Sequence, residues 1–240
     1  MTQRILGVPI LLWLAFFLFA DLMLAFPGID LTVSAWFWTP EHGFVPRGLW
    51  WERLVYHGVE TLMVIVSAGL ILLWLVNRRR RRGLLGVTGR KAALLLALLI
   101  LVPGLVVNQG FKEHLGRARA VKLEQFGGHA PYTPAFVPST AGGGSFSSGH
   151  AATGFWLVAV AYTLSGRVGA WALLALANAL AVGVTRIAVG GHFLSDVLAS
   201  GFFVWIGWYM LAAVICARHG ANCGAEDTGA SPATAGAPPP

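Results

Sequence analysis

The apolar positions of the chain gather into six runs, at residues 5–26, 59–76, 92–107, 151–164, 168–184 and 193–216. A helix needs about 20 mostly apolar residues to cross a bilayer, so each run is a candidate membrane span. The third and fourth are short, and are expected to extend into neighbouring Gly, Asn and Ser residues, where packed helices hide polar groups. The first run follows Arg4. It exceeds the ~7–15-residue apolar core of a signal peptide and lacks an A-x-A site, so it is read as a retained first helix. The segment FPGIDLTVSAWFW after it predicts a short interfacial helix, with Trp36, Trp38, Trp50 and Trp51 as an aromatic belt at the outer surface. Residues 218–240 are rich in small residues and proline and have no apolar period, which predicts a disordered cytoplasmic tail. The expected fold is therefore all-α: a six-transmembrane-helix bundle over residues 1–217.

Composition supports a membrane protein. Of the 240 residues 56% are hydrophobic and 11% charged, against roughly 25% charged in an ordinary soluble domain, so a soluble fold would lack a polar coat. Thirty glycines suit closely packed membrane helices. Cys216 and Cys223 are too few and too late for a disulfide framework or a CxxC zinc site, and are expected to be free thiols without a role. No internal repeat marks a transporter built from paired halves.

The net charge of +7 is compatible with nucleic acid, a membrane surface or an anionic substrate, and position decides between them. Ten cations, Arg4, the five arginines at 78–82, Arg90, Lys91, Arg167 and Arg218, fall on one side of the six runs. Seven, Arg47, Arg53, Lys112, Arg117, Arg119, Lys122 and Arg186, fall on the other. The positive-inside rule then puts both termini in the cytoplasm. The arginine run is sufficiently explained as a stop-transfer anchor, and nucleic acid is not needed to account for the charge.

Three polar clusters end apolar runs on the outer face: KEHLGRAR with Lys112 and Arg119, GGGSFSSGH with Ser148, Gly149 and His150, and TRIAVGGHFLSD with Arg186, His192 and Asp196. Lys112, Arg119 and Arg186 are suited to the equatorial oxygens of a phosphoryl group, where charge must be stabilised during transfer. Ser148 and Gly149 precede a helix whose free amides favour an anion. His192 and Asp196, four apart, share a helix face, so the carboxylate can hold one ring nitrogen while the other attacks substrate. His150 is then available as general acid. Each residue alone has an ordinary packing or surface role, but Asp196 inside an apolar run is costly without a partner. Glu113, Glu124 and Asp196 are too few carboxylates for a two-metal site, so neither metal nor cofactor is expected.

Together these motifs resemble the signature of the type 2 phosphatidic acid phosphatase superfamily of membrane lipid phosphatases, K-x6-R-P, P-S-G-H and S-R-x5-H-x3-D. Lys112 and Arg119, Ser148 to His150, and Arg186, His192 and Asp196 match in order and spacing. Ala120 and Ser147 stand where proline is usual and Thr185 where serine is. The resemblance implies phosphate binding by Lys112, Arg119, Ser148, Gly149 and Arg186, with His192 as nucleophile, His150 as general acid and Asp196 orienting His192. It also implies six transmembrane helices with the site on the extracytoplasmic face. Flanking segments such as PGLVVNQGFK and GGHFLSDV are more specifically similar to bacterial lipid A phosphatases, the 4′ type in particular.

The expected activity is thus metal-independent hydrolysis of a phosphate monoester on a membrane lipid through a phosphohistidine, in a bacterial inner membrane with the site facing the periplasm. Phosphatidylglycerophosphate, undecaprenyl diphosphate and phosphoryl transfer to another lipid are alternatives within the same chemistry. A non-catalytic lipid-binding or transport protein is the alternative of a different class. The expected partners are the phosphorylated lipid and the bilayer, and the sequence is silent on oligomeric state.

Overall fold

A computed structural model describes residues 3–216 of the chain, so the tail expected from residue 218 lies outside the described residues. Among these residues eight α-helices follow one another: α1 (Ile10–Ala25), α2 (Gly28–Ala35), α3 (Trp50–Arg80), α4 (Gly89–Leu99), α5 (Lys112–Leu115), α6 (Gly149–Ser165), α7 (Ala170–Ala188) and α8 (Leu194–Ile215). A π-helical stretch, Ile100–Phe111, joins α4 to α5. The only strands among the described residues form two two-residue hairpins, β1 (Arg4–Ile5) with β2 (Val8–Pro9) and β3 (Trp38–Thr39) with β4 (Gly43–Phe44).

Among the described residues four helices are long and apolar enough to cross a bilayer, Trp50–Arg80, Gly89–Lys122, Ala170–Ala188 and Leu194–Ile215, and α1 with α2 makes a fifth if that bent pair is one span. The six runs of the sequence correspond to helices of very different length. α1, of 16 residues, and α6, of 17, rise only about 24–26 Å, short of the ~30 Å hydrocarbon layer. α6 tolerates this because protein surrounds it: eleven of its residues, Trp156 among them, are buried. α3 is the opposite case. Its 31 residues carry it well past the apolar run at both ends, from Trp50 to the arginine run, where Arg81 closes it with φ 48°.

α6 lies at the centre, against α7, α8, α3 and α4. Gly154 permits its close approach to α7, since a Cβ there would stand 3.0 Å from Ala179 Cα. The indole nitrogens inside this core are satisfied: Trp156 Nε1 donates to Leu95 O at 2.8 Å and Trp208 Nε1 to Thr163 Oγ1 at 2.9 Å. Pro103 lies within the π-helical stretch. It cannot continue the hydrogen-bond ladder, and its own carbonyl is taken up by Asn108 Nδ2 at 2.8 Å.

The predicted interfacial helix is α2, turned 79° from α1. It carries two buried polar side chains, Asp30 and Ser34. The expected aromatic belt is present in part, with Trp36 and Trp50 exposed. Residues 116–148 fold over the same end of the bundle as a cap, held by an apolar cluster that includes Phe44, Ala120, Leu123, Phe126 and Phe193. Cys216, at the end of α8, is disulfide-bonded, which overturns the expectation of a free thiol there; Cys223 lies outside the described residues.

Candidate active site

The turn between α7 and α8 depends on two glycines. Gly190 adopts φ 69°, and a Cβ on Gly191 would stand 2.6 Å from Arg186 Nη2, so only glycine lets that guanidinium lie against the turn. His192 N donates to Arg186 O at 3.1 Å and closes it. The His192 ring is buried, and its Nδ1 lies 2.7 Å from Ser145 O. A carbonyl only accepts, so Nδ1 carries the proton and Nε2 keeps its lone pair. Burial holds this ring below the ordinary histidine range, against the opposing pull of Asp196.

Asp196 meets His192 less directly than the spacing suggests. Its Oδ2 is 3.6 Å from His192 Nδ1, beyond a hydrogen bond. That oxygen accepts instead from Phe193 N at 2.8 Å, capping α8, and from Ser145 Oγ at 2.6 Å. The cap holds the carboxylate at the helix start, and Ser145 bridges it to the ring, its hydroxyl on Asp196 and its carbonyl on His192.

Behind Asp196 stands Arg117, which sequence reasoning left among the outer loop charges. It is 1% exposed. One Nη1 proton goes to Asp196 Oδ1 at 2.5 Å and another to Ser195 Oγ at 3.0 Å. Nη2 donates to Asp30 Oδ2 at 2.8 Å and Nε to Thr133 O at 2.8 Å. Asp30, from α2, also accepts from Ser195 N at 2.9 Å and from the Ser195 hydroxyl. Tyr132 Oη accepts from Arg117 at 3.2 Å and donates to Pro27 O at 2.8 Å. Burial, with Asp30 beside it, pushes the Tyr132 phenol up to about 12, so it remains a donor. Two carboxylates thus share one buried guanidinium, with the remaining protons and lone pairs hydrogen-bonded as a buried ion pair requires.

Five of the other six motif residues line two cavities. In the first, of about 240 Å³, are Lys112, Gly149 and His150 with Asn108 and Glu60. Lys112 Nζ donates to Asn108 Oδ1 at 2.7 Å, and a Cβ on Gly149 would stand 2.6 Å from that oxygen and 3.1 Å from Nζ. His150 Nε2 is 3.2 Å from Glu60 Oε1, in an orientation that makes no hydrogen bond. Ser148 is fully buried; its hydroxyl caps α6 by accepting from Ala151 N at 3.4 Å, and its carbonyl accepts from Ser200 Oγ at 2.9 Å. The second cavity, of about 280 Å³, is walled by Arg119, Arg186 and Gly191 together with Arg47, Glu52 and Arg53. Arg186 Nη1 is 4.0 Å from Glu52 Oε1, and its buried Nε has no partner. Tyr56 joins the two cavities, its ring centroid 4.1 Å from that of His150 and 4.9 Å from the Arg186 guanidinium carbon. Lys112 lies within the electrostatic field of Arg119 and Arg186, and His192 within that of Arg186 and Lys112.

The eight sequence-predicted residues therefore converge from four segments on one end of the bundle. Arg117, Asp30, Ser145, Tyr56, Glu60 and Asn108 join them unforeseen. Asp30 left a trace, being an acid within an apolar segment, which demands a partner. Arg117 sits inside the first motif and differs from its neighbours only in burial.

A model of the PAP2 superfamily matches residues 91–223, over half of the chain. The lipid A 4′-phosphatase of Francisella tularensis subsp. novicida (strain U112) is 39% identical over 131 residues, covering 52% of this chain and 59% of that protein. The chain thus spans about three fifths of the length of that relative. The lipid A 4′-phosphatase of Rhizobium leguminosarum is 29% identical over 215 residues, covering 80% of this chain and 87% of that protein. That of Rhizobium etli is 28% identical over 219 residues, covering 80% of each. No solved structure gives a significant match.

Proposed function

Since the chain belongs to the PAP2 superfamily, we propose that it is a metal-independent membrane lipid phosphatase whose substrate is lipid A, cleaved at the 4′-phosphate. The observation that carries the reading is the tautomer of His192, buried, with Nδ1 donating to Ser145 O and Nε2 free beside cations. Lys112, Arg119, Arg186 and the amides at the α6 N-terminus hold the phosphate oxygens. The His192 Nε2 lone pair attacks phosphorus in line as the phosphorus–oxygen bond to the lipid breaks, and protonated His150 gives its proton to the departing alkoxide. Glu60, whose Oε1 is 3.2 Å from His150 Nε2, is the carboxylate that faces this ring. Water then attacks the phosphohistidine, losing its proton to His150, and frees inorganic phosphate and His192. Asp196 keeps the ring oriented through Ser145 and offsets the charge it acquires.

The substrate assignment draws on the three relatives named lipid A 4′-phosphatase. In the bilayer the reading places six spans, α1, α3, the helix from α4 through α5, α6, α7 and α8, with both termini cytoplasmic and the site periplasmic. The arginine run at one end of α3 and the tryptophans at the other support that direction. His192→Ala is expected to insert normally and to lower phosphate release by at least about a thousandfold, as removal of a nucleophile does. Mass spectrometry of lipid A from cells with and without the active chain checks the substrate: loss of the 4′-phosphate only with the active chain supports the reading, and unchanged lipid A overturns it.

A further inference from the structure

The wall of the second cavity carries more positive charge than one phosphate calls for. Arg47, Arg53, Arg119 and Arg186 surround it and Glu52 is its one carboxylate. Arg47 lies in the loop before α3 and Arg53 in the first turn of that helix. Among the described residues neither side chain takes part in an ion pair. Arg47 and Arg119 both repel Arg186, whose only acidic partner, Glu52, is at the 4.0 Å limit of an ion pair. Like charges held around one space are unfavourable unless an anion fills it. Lys112 and His150 line the first cavity, and Arg47 and Arg53 are absent from it, so the surplus lies on the side away from the general acid. The volume of about 280 Å³, close to the ~300 Å³ lower end of small-molecule sites, exceeds the room a lone phosphoryl group takes.

We propose that Arg47 and Arg53 form a subsite for a second anionic group, phosphoryl or carboxylate, on the same head group as the phosphate to be removed. The preferred substrate is then a lipid bearing two anions close together, and one carrying a single phosphate monoester is a poor one. This rests on the phosphatase reading of Lys112, Arg119, Arg186 and His192. The chemistry is recognition alone: planar guanidinium forks take phosphate or carboxylate oxygens in pairs, at a place where exposed loop and helix start leave them free to do so.

The test uses the full chain in detergent micelles, wild type and the double variant Arg47→Ala/Arg53→Ala, in two arms. Phosphate release is measured from a glycolipid with two neighbouring phosphates, from its counterpart with a carboxylate in place of the second phosphate, and from a singly phosphorylated lipid. The double variant should lose about tenfold or more in kcat/KM on at least one two-anion lipid and stay within about threefold of wild type on the single-phosphate lipid. Equal loss on all three, or loss on none, overturns the subsite. Binding of inorganic pyrophosphate and inorganic phosphate is measured separately, at about 0.5 M salt to screen distant charges. Wild type should hold pyrophosphate the more tightly, and the double variant should lose that preference while keeping its phosphate affinity. A preference that survives in the variant, or is missing from wild type, overturns the proposal. Should wild type release no phosphate from any lipid, the phosphatase reading fails while the binding arm still decides the subsite.

Discussion

Arg117 offers the sharpest consequence at the scale of single residues. Removing it leaves Asp30 and Asp196 buried side by side without a countercharge, and breaking such a pair costs about 3–5 kcal/mol. Arg117→Met is therefore expected to lower the unfolding temperature in detergent severely. Adding Asp30→Asn should restore part of that stability, because one of the two stranded charges is gone, while phosphate release stays low for want of a held Asp196. Full recovery of activity in the double variant would show that Arg117 acts on stability alone. His192 yields a pH prediction. Its folded-state value is lowered, so the ring is neutral, and able to attack, throughout the range above the ordinary value near ~6.5. Acid should remove activity only below that point, and an acid-side limb of kcat/KM with its midpoint near pH 7 or above would contradict the environment described for the ring. The linked stability has the same sign. The unfolded chain takes up this proton at higher pH than the folded one, so stability falls as pH drops through ~6.5 and below. Motif spacing made His150, His192 and Asp196 legible in the sequence, but not Ser145 as the bridge between the last two, since it belongs to the cap and lies 47 and 51 positions away from them.

Among the elements, α6 carries the most buried residues, eleven of its 17, and its packing turns on one glycine. A side chain at Gly154 meets Ala179 of α7 at 3.0–3.2 Å, so Gly154→Leu should cost about 1–3 kcal/mol through overpacking and Gly154→Ala less. Thermal unfolding of the two variants checks the order. The ends of α6 also illustrate what patterning reveals. The apolar run at 151–164 is nearly the whole helix, Gly149–Ser165, whereas the run at 59–76 marks little more than half of α3. Hydropathy registers the part of a helix that meets lipid or core, and is blind to turns that Trp50, Glu52 and the arginine run carry beyond it. The π-helical register across Pro103 was equally hidden, because its sign is a hydrogen bond from Asn108 rather than a pattern of apolar residues.

Across the whole molecule, the proposed topology predicts which surfaces water-soluble reagents reach. With the native cysteines replaced, Ser139→Cys should react with an impermeant maleimide added to the periplasm, and Gly83→Cys only once the inner membrane is opened. The reverse pattern would invert the orientation. The family match begins at residue 91 and so encloses every motif residue, yet Asp30 lies 61 positions before it. The signature region is consequently not portable. Moved alone into another membrane scaffold, it would bring an arginine committed to a carboxylate left behind, so the first bent helix pair has to travel with it.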